Sequence, residues 1–123
     1  MATRDEVVEF LSLFKGCLML ERMTVKDRDK NRQALIDLSI TTAERQEALL
    51  SLVPEDYVAG PKPDDTDDTK EVWEFGKRVV GTNVYIKLRV VQAPGKQGVY
   101  HALVWSFHTA EFRMKYPLKG GGS

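Results

Sequence analysis

The stretch Asn83-Val-Tyr-Ile-Lys-Leu-Arg-Val-Val91 decides the fold, because its apolar and polar residues alternate. A period of two is typical of a β-strand with one buried face. The face expected to point into a core carries Val84, Ile86, Leu88 and Val90. The opposite face carries Tyr85, Lys87 and Arg89. A phenol and two cations on a rigid strand can bind a phosphate and transfer a proton. Similar side chains also occur on strands that only face solvent.

Length and composition predict one ordinary globular domain. The chain has 123 residues, of which 42% are hydrophobic and 29% charged, and this balance suits a single core. We expect that domain over residues 1–119 and a flexible Gly/Ser tail over 120–123. No apolar run reaches the roughly 18 residues of a membrane span, and charges interrupt the first residues. A cytoplasmic protein without a membrane segment is therefore expected.

The charges are unevenly distributed along the chain, although the formal net charge is zero. Residues 76–119 hold eight Lys and Arg residues and one acidic residue, and the remaining residues carry the balancing excess of acid. Such a split indicates a local anion site and argues against a general nucleic-acid coat protein. The single cysteine, Cys17, excludes an internal disulfide and a Cys-based cluster. Neither a metal nor a cofactor is expected.

The sequence before residues 83–91, the organising strand of the predicted sheet, predicts helices. Thr3 with Glu6, and Thr41 with Glu44, have the spacing of a capping box. Helices are therefore expected over about 3–16 and from 41 to just before Pro54, with a short one over 31–38. The segment 18–26 is a candidate edge strand.

The segment 60–70 reads as an exposed loop, because it combines prolines with four aspartates. Asp64, Asp65, Asp67 and Asp68 lack the spacing and the closing glutamate of a calcium-binding EF-hand loop. A solvated loop without a metal is the default interpretation of this segment.

Period-two alternation returns over 71–79, where Gly76 is a possible bulge, and over 99–108. The predicted fold class is α+β: an antiparallel sheet of three or more strands with the N-terminal helices packed on one face. In the last strand, we expect Leu103, Trp105 and Phe107 to face the helices. A one-residue slip in register would break this assignment.

With that register, one sheet face collects acid, base and cation side chains. They are Glu74, Arg78, Tyr85, Lys87, Arg89, Ser106 and His108. This set suits metal-independent cleavage of RNA, whose 2′-OH is an internal nucleophile. Glu74 or Tyr85 is the candidate general base, and His108 is the candidate general acid. Lys87 and Arg89 would offset the charge that develops on the phosphate.

Four short runs resemble the MqsR family of type II toxins. They are Leu52-Val-Pro-Glu-Asp-Tyr57, Val72-Trp-Glu-Phe75, Val84-Tyr-Ile-Lys-Leu88 and Leu103-Val-Trp-Ser-Phe-His108. The resemblance extends from about residue 31 to residue 108. It implies a RelE-like α/β fold and an mRNA interferase that cleaves single-stranded mRNA. It also implies a cognate antitoxin protein, commonly one that binds DNA and represses the shared operon.

Within this resemblance, Tyr85 matches the catalytic tyrosine of the family and Lys87 the lysine two residues later. Three positions depart from its best-known member: His108 replaces a catalytic lysine, Glu74 a glutamine and Ala59 a lysine.

Further basic or aromatic residues are candidates for substrate binding. They are Lys77, Arg78, Arg89, Arg113, Lys115 and Tyr116. The alternative function is a non-catalytic binding module that uses the same basic face for RNA or for an acidic protein partner.

Overall fold

A computed structural model describes residues 1–65 and 70–119 of the chain. Within them the helices are α1 (Arg4–Met19), α2 (Asp29–Leu38) and α3 (Thr42–Leu50), followed by a single 3₁₀ turn, Pro54–Asp56. The strands are β1 (Met23–Val25), β2 (Tyr57–Pro63), β3 (Glu71–Val79), β4 (Thr82–Gln92) and β5 (Tyr100–Thr109). The predicted tail at 120–123 lies outside the described residues.

The strands form one sheet in the order β1-β5-β4-β3-β2. Strand β1 runs parallel to β5, and every other neighbouring pair is antiparallel. The α+β class is therefore confirmed, while the expectation of a wholly antiparallel sheet is wrong at the β1 edge. None of the helices within the described ranges combines the length and the apolar character that a membrane crossing requires.

Both predicted capping boxes are present. The Thr3 hydroxyl accepts from the Glu6 amide at 3.2 Å, and the Glu6 carboxylate accepts from the Thr3 amide at 2.8 Å. Helix α1 continues past the expected end at Gly16, because Cys17 and Leu18 extend its buried stripe. Burial of large apolar side chains contributes about 1.5–3 kcal/mol each, which outweighs the roughly 1 kcal/mol cost of a helical glycine.

The core lies between the helices and the inner face of the sheet. The organising strand contributes as predicted: Val84, Ile86 and Leu88 are 0% exposed. Phe14 of α1, Leu49 of α3 and further buried apolar residues of all three helices belong to the same cluster. Since this core fills the inner face of β4, the polar side chains of β4 are left on the outer face.

The predicted loop at 60–70 is wrong over its first part, because Tyr57–Pro63 forms the edge strand β2 and pairs with β3. Prolines are tolerated on an edge strand, where a missing N–H breaks no ladder. Asp64 is only 3% exposed and pairs with Arg89, so the solvated interpretation also fails for this residue. Asp65 is exposed, and Asp67 and Asp68 lie outside the described residues.

A bulge in β5 sets the faces of that strand. Ser106 pairs with Lys87 and Val104 pairs with Leu88, so Trp105 is an extra residue between two partners. The insertion reverses the alternation at that point. Gly76, by contrast, is no bulge, because the β3–β4 register is continuous past its partner Tyr85.

Because of the bulge, the predicted faces of β5 are correct after Trp105 and wrong before it. After it, Phe107 faces the core, and Ser106 and His108 share the outer face of Tyr85 and Lys87, as expected. Before it, Ala102 and Val104 are the core residues. Leu103 and Trp105 therefore do not pack on the helices.

Asn31 completes the edge of β5 beyond the end of β1. Strand β1 stops opposite Val104, so the following residues of β5 pair with β4 on one side and have no strand neighbour on the β1 side. The buried Asn31 amide donates to the carbonyls of Lys26 and Trp105 at 2.9 and 3.1 Å, and its oxygen accepts from the Phe107 amide at 2.9 Å. One side chain of α2 thus serves the backbone groups that a longer β1 would have paired.

Candidate active site

A polar pocket of about 290 Å³ lies on the outer face of the sheet, over β4 and the bulged half of β5. Its lining comes from the sheet, from the start of α2, and from the segments after β2 and β5. The lining residues are Arg28, Lys30, Asp64, Asp65, Tyr85, Lys87, Trp105, Ser106, His108, Glu111 and Phe112. Tyr85 is the direct cross-strand partner of His108, and Lys87 that of Ser106, which places each pair within contact distance.

Tyr85 is joined to a buried acid. Its hydroxyl donates to Glu74 Oε2 at 2.5 Å, and Glu74, only 6% exposed, also forms an ion pair with Lys62. Burial raises the pKa of Tyr85 far above its ordinary value, and the hydrogen bond to Glu74 and its negative charge raise it further. Tyr85 therefore keeps its proton at neutral pH.

His108 is 8% exposed, and its ring centre lies 5.5 Å from that of Tyr85. Its Nδ1 is 2.9 Å from the Thr109 carbonyl oxygen. A carbonyl only accepts, so Nδ1 carries the proton of this hydrogen bond. The other ring nitrogen, Nε2, is consequently the atom that can exchange a proton with a ligand.

Two cations face the pocket without being neutralised by an ion pair within residues 1–65 and 70–119: Lys87 and Arg28. Arg28 Nη1 donates to the Trp105 carbonyl at 3.1 Å and to the Ser106 hydroxyl at 2.8 Å. Arg28 was not predicted as a site residue, because the charged run at 27–30 resembles a solvated turn. The only available signal was its position directly before the buried face of α2.

Acidic residues offset part of the positive charge at the pocket. Lys30 is paired with both carboxylate oxygens of Glu111, at 2.8 and 3.0 Å, and this contact lowers the pKa of Glu111. Asp65 also lines the pocket, and its charge helps to raise the pKa of Tyr85. The net positive charge of residues 76–119 is therefore not concentrated here.

Arg89 is not placed for the phosphate-binding role that the sequence predicts for it. It pairs with the buried Asp64, and its guanidinium carbon lies 5.4 Å from the Trp105 ring centre. Arg89 does not line the pocket. The strand alternation placed it on the correct face, but the neutralising Asp64 directly follows β2, which was not predicted.

The remaining predicted binding residues lie elsewhere. Lys77, Arg78 and Tyr116 line a separate pocket near the β3–β4 turn. Within it Lys77 approaches Asp56 at 3.9 Å, and Arg78 donates to the Gly81 carbonyl.

The segment after β5 crosses the outer face of β3. A Cβ at Gly76 would lie 2.5 Å from Met114 Sδ and from the Tyr116 hydroxyl. Arg113 and Lys115 of this segment are exposed and do not line the Tyr85 pocket.

Among residues 1–65 and 70–119, no group of three or more His, Cys, Asp or Glu side chains is placed to hold a metal ion. The pocket instead offers a phenol, a hydroxyl, an imidazole and two cations. This combination can bind a phosphodiester and transfer a proton to or from it.

Comparisons of the chain with protein-family models, curated proteins and solved structures find no match. Membership of the MqsR family therefore stays a prediction from the motifs quoted above.

Proposed function

We propose that the protein is a metal-independent endoribonuclease that cleaves single-stranded mRNA, and that it is the toxin of a type II toxin–antitoxin pair with a RelE-like version of the α+β fold. The observation that carries the proposal is the convergence of Tyr85, Lys87, His108 and Arg28 around one pocket. The toxin role, the cytoplasmic location and the antitoxin partner rest on the MqsR resemblance.

The proposed reaction begins with attack of the ribose 2′-oxygen on the adjacent phosphorus. Because Tyr85 is protonated, it acts as a relay: it takes the 2′-OH proton while its own proton passes to Glu74, 2.5 Å away. The 2′-O–P bond forms, the P–O5′ bond breaks, and His108 Nε2–H protonates the leaving 5′-oxygen. The products are a 2′,3′-cyclic phosphate and a 5′-hydroxyl.

Lys87 and Arg28 stabilise the negative charge that builds on the phosphate. Arg28 uses Nη1 for the Trp105 carbonyl and the Ser106 hydroxyl, which leaves Nη2 for a phosphate oxygen. Arg28 thus takes the role first expected of Arg89, whose charge Asp64 neutralises. Loss of one such preorganised donor typically costs about 10²–10³-fold in rate.

The first test is cleavage of single-stranded RNA in excess EDTA, with the product ends identified. We expect cleavage that leaves a 2′,3′-cyclic phosphate. Activity that disappears with the chelator and returns with Mg²⁺ would overturn the mechanism. RNA that is bound but never cleaved would support the non-catalytic binding module instead.

His108→Gln should retain RNA binding and lose about 10²–10⁴-fold in cleavage rate. The loss should shrink on a substrate with a nitrophenolate leaving group, because that group needs no proton. His101→Gln is the matched control: His101 bonds to the Thr24 hydroxyl at 2.8 Å and does not line the pocket. Equal losses on both substrates would reassign His108 to positioning.

The toxin role is tested by expression in a growing bacterium, with and without the adjacent open reading frame. Growth arrest that the neighbouring product relieves supports the proposal. Arrest should also disappear in His108→Gln. Unaffected growth with active RNase in the lysate would separate the enzyme from the toxin role.

A further inference from the structure

Two aromatic side chains border the pocket, and the proposed chemistry uses neither of them. Trp105 stands on the outer face because the bulge turns it away from the core. Phe112 is 54% exposed and packs edge-to-face on Tyr85, with ring centres 5.5 Å apart. Both side chains line the pocket that contains Lys87.

The backbone of Trp105 is held firmly in this outward position. Its carbonyl accepts hydrogen bonds from both Arg28 and Asn31. A regular strand would have placed the indole among the apolar residues of the core, where its burial would have added stability. The fold instead fixes a large aromatic ring beside the proposed phosphate site.

Cations surround the Trp105 ring. The Lys26 ammonium lies 5.2 Å from the ring centre and the Arg89 guanidinium 5.4 Å. Arg89 is held by Asp64, whereas the exposed Lys26 has no ion-pair partner within the described residues. Aromatic rings next to cations are the usual arrangement for binding single strands, in which bases stack and phosphates pair.

We infer that Trp105 and Phe112 are stacking platforms for the two bases on either side of the phosphate held by Lys87 and Arg28. This inference rests on the proposed function and specifies its ligand, a dinucleotide step of single-stranded RNA with both bases unstacked. One base displaces the Lys26 ammonium from the Trp105 ring, and that ammonium then pairs with a neighbouring phosphate. Duplex RNA does not fit, because its bases are stacked on each other.

The test measures binding separately from cleavage. The probe is a fluorescent RNA oligonucleotide with a single 2′-deoxy sugar at the cleaved position, which removes the nucleophile, and affinity is read by anisotropy. Trp105→Ala and Phe112→Ala should each weaken binding by about 5-fold to 150-fold, the range known for loss of one base–aromatic stack. Trp105→Phe should retain most of the affinity. Ile36→Ala, an exposed apolar residue outside the pocket, should change nothing.

Abasic probes make the assignment specific. One probe lacks the base before the cleaved phosphate, and the other lacks the base after it. Trp105→Ala should cause no further loss with one of these probes, and Phe112→Ala no further loss with the other. If the affinity loss from each variant simply adds to the loss from each missing base, neither ring contacts a base, and the inference is overturned.

Failure of the inference and failure of the proposed function give different results. If both alanine variants bind and cleave like the unchanged protein, the stacking platforms are wrong and the endoribonuclease stands. If the unchanged protein neither binds nor cleaves single-stranded RNA, the proposed function fails, and the inference fails with it.

Discussion

Replacing Asn31 with alanine tests whether one side chain holds the half of β5 that follows its bulge in place. Asn31 is 1% exposed and serves the carbonyls of Lys26 and Trp105 and the amide of Phe107. The Trp105 carbonyl still accepts a hydrogen bond from Arg28 in the variant, so the loss of its bond to Asn31 costs little free energy. The Phe107 amide loses its acceptor inside the protein, which costs about 1–3 kcal/mol, and the lost hydrogen bond to the Lys26 carbonyl adds about 0.5–1.5 kcal/mol. Together these effects predict a fall of roughly 3 kcal/mol in the free energy of unfolding.

Urea denaturation at neutral pH measures this fall, and hydrogen exchange locates it. The Phe107 amide should exchange faster in Asn31→Ala, while amides of α1 should change only in proportion to global stability. Arg32→Ala is the matched control on the same helix. Arg32 forms exposed ion pairs with Asp27 and Asp29, so we expect less than about 1 kcal/mol. A loss in Asn31→Ala no larger than the control's, with unchanged Phe107 exchange, would refute the claim that Asn31 replaces a strand.

Two further predictions concern β4. Lys87→Ala should lower the cleavage rate at saturating RNA by about 10²-fold and weaken RNA binding less, with Lys96→Ala in the β4–β5 loop as the control. A variant that binds poorly but cleaves normally would limit Lys87 to positioning. Because folding raises the pKa of Tyr85, its contribution to stability is complete below about pH 10 and is lost above it. Between pH 10 and 11.5, the unchanged protein should therefore lose up to about 1.4 kcal/mol per pH unit more than Tyr85→Phe, and equal slopes in urea denaturation would contradict this.

The parts of the fold that follow from local pattern were predictable. The alternation in β4 places Tyr85 and Lys87 on the outer face, and the β3 alternation places Glu74 beside them, because the β3–β4 register is unbroken. Capping boxes at Thr3 and Thr41 mark the starts of α1 and α3 correctly. In each case the signal lies within a few residues of the feature that it predicts.

The features that sequence analysis missed depend on distant partners. The β5 bulge is stabilised by Asn31 of α2 and by Arg28, the residue before α2. The sequence around Trp105 therefore contains no signal that predicts the bulge. Strand β2 reads as a loop because its prolines are acceptable only at an edge, and an edge is a property of the whole sheet. Arg89 looked available for RNA because its partner Asp64 follows that unpredicted strand.

The parallel pairing of β1 with β5 has a consequence for synthesis on the ribosome. Met23 pairs with Ala102, and Val25 with Val104, so β1 cannot pair until β5 has been synthesised. Closing such a long loop is slow relative to local contacts, and the chain emerges at about 5–20 residues per second. A nascent chain that stalls after β4 carries Tyr85 and Lys87, but Arg28 has no β5 to bond. The proposed RNA cleavage should therefore begin only after β5 has been synthesised and has paired with β1 and β4.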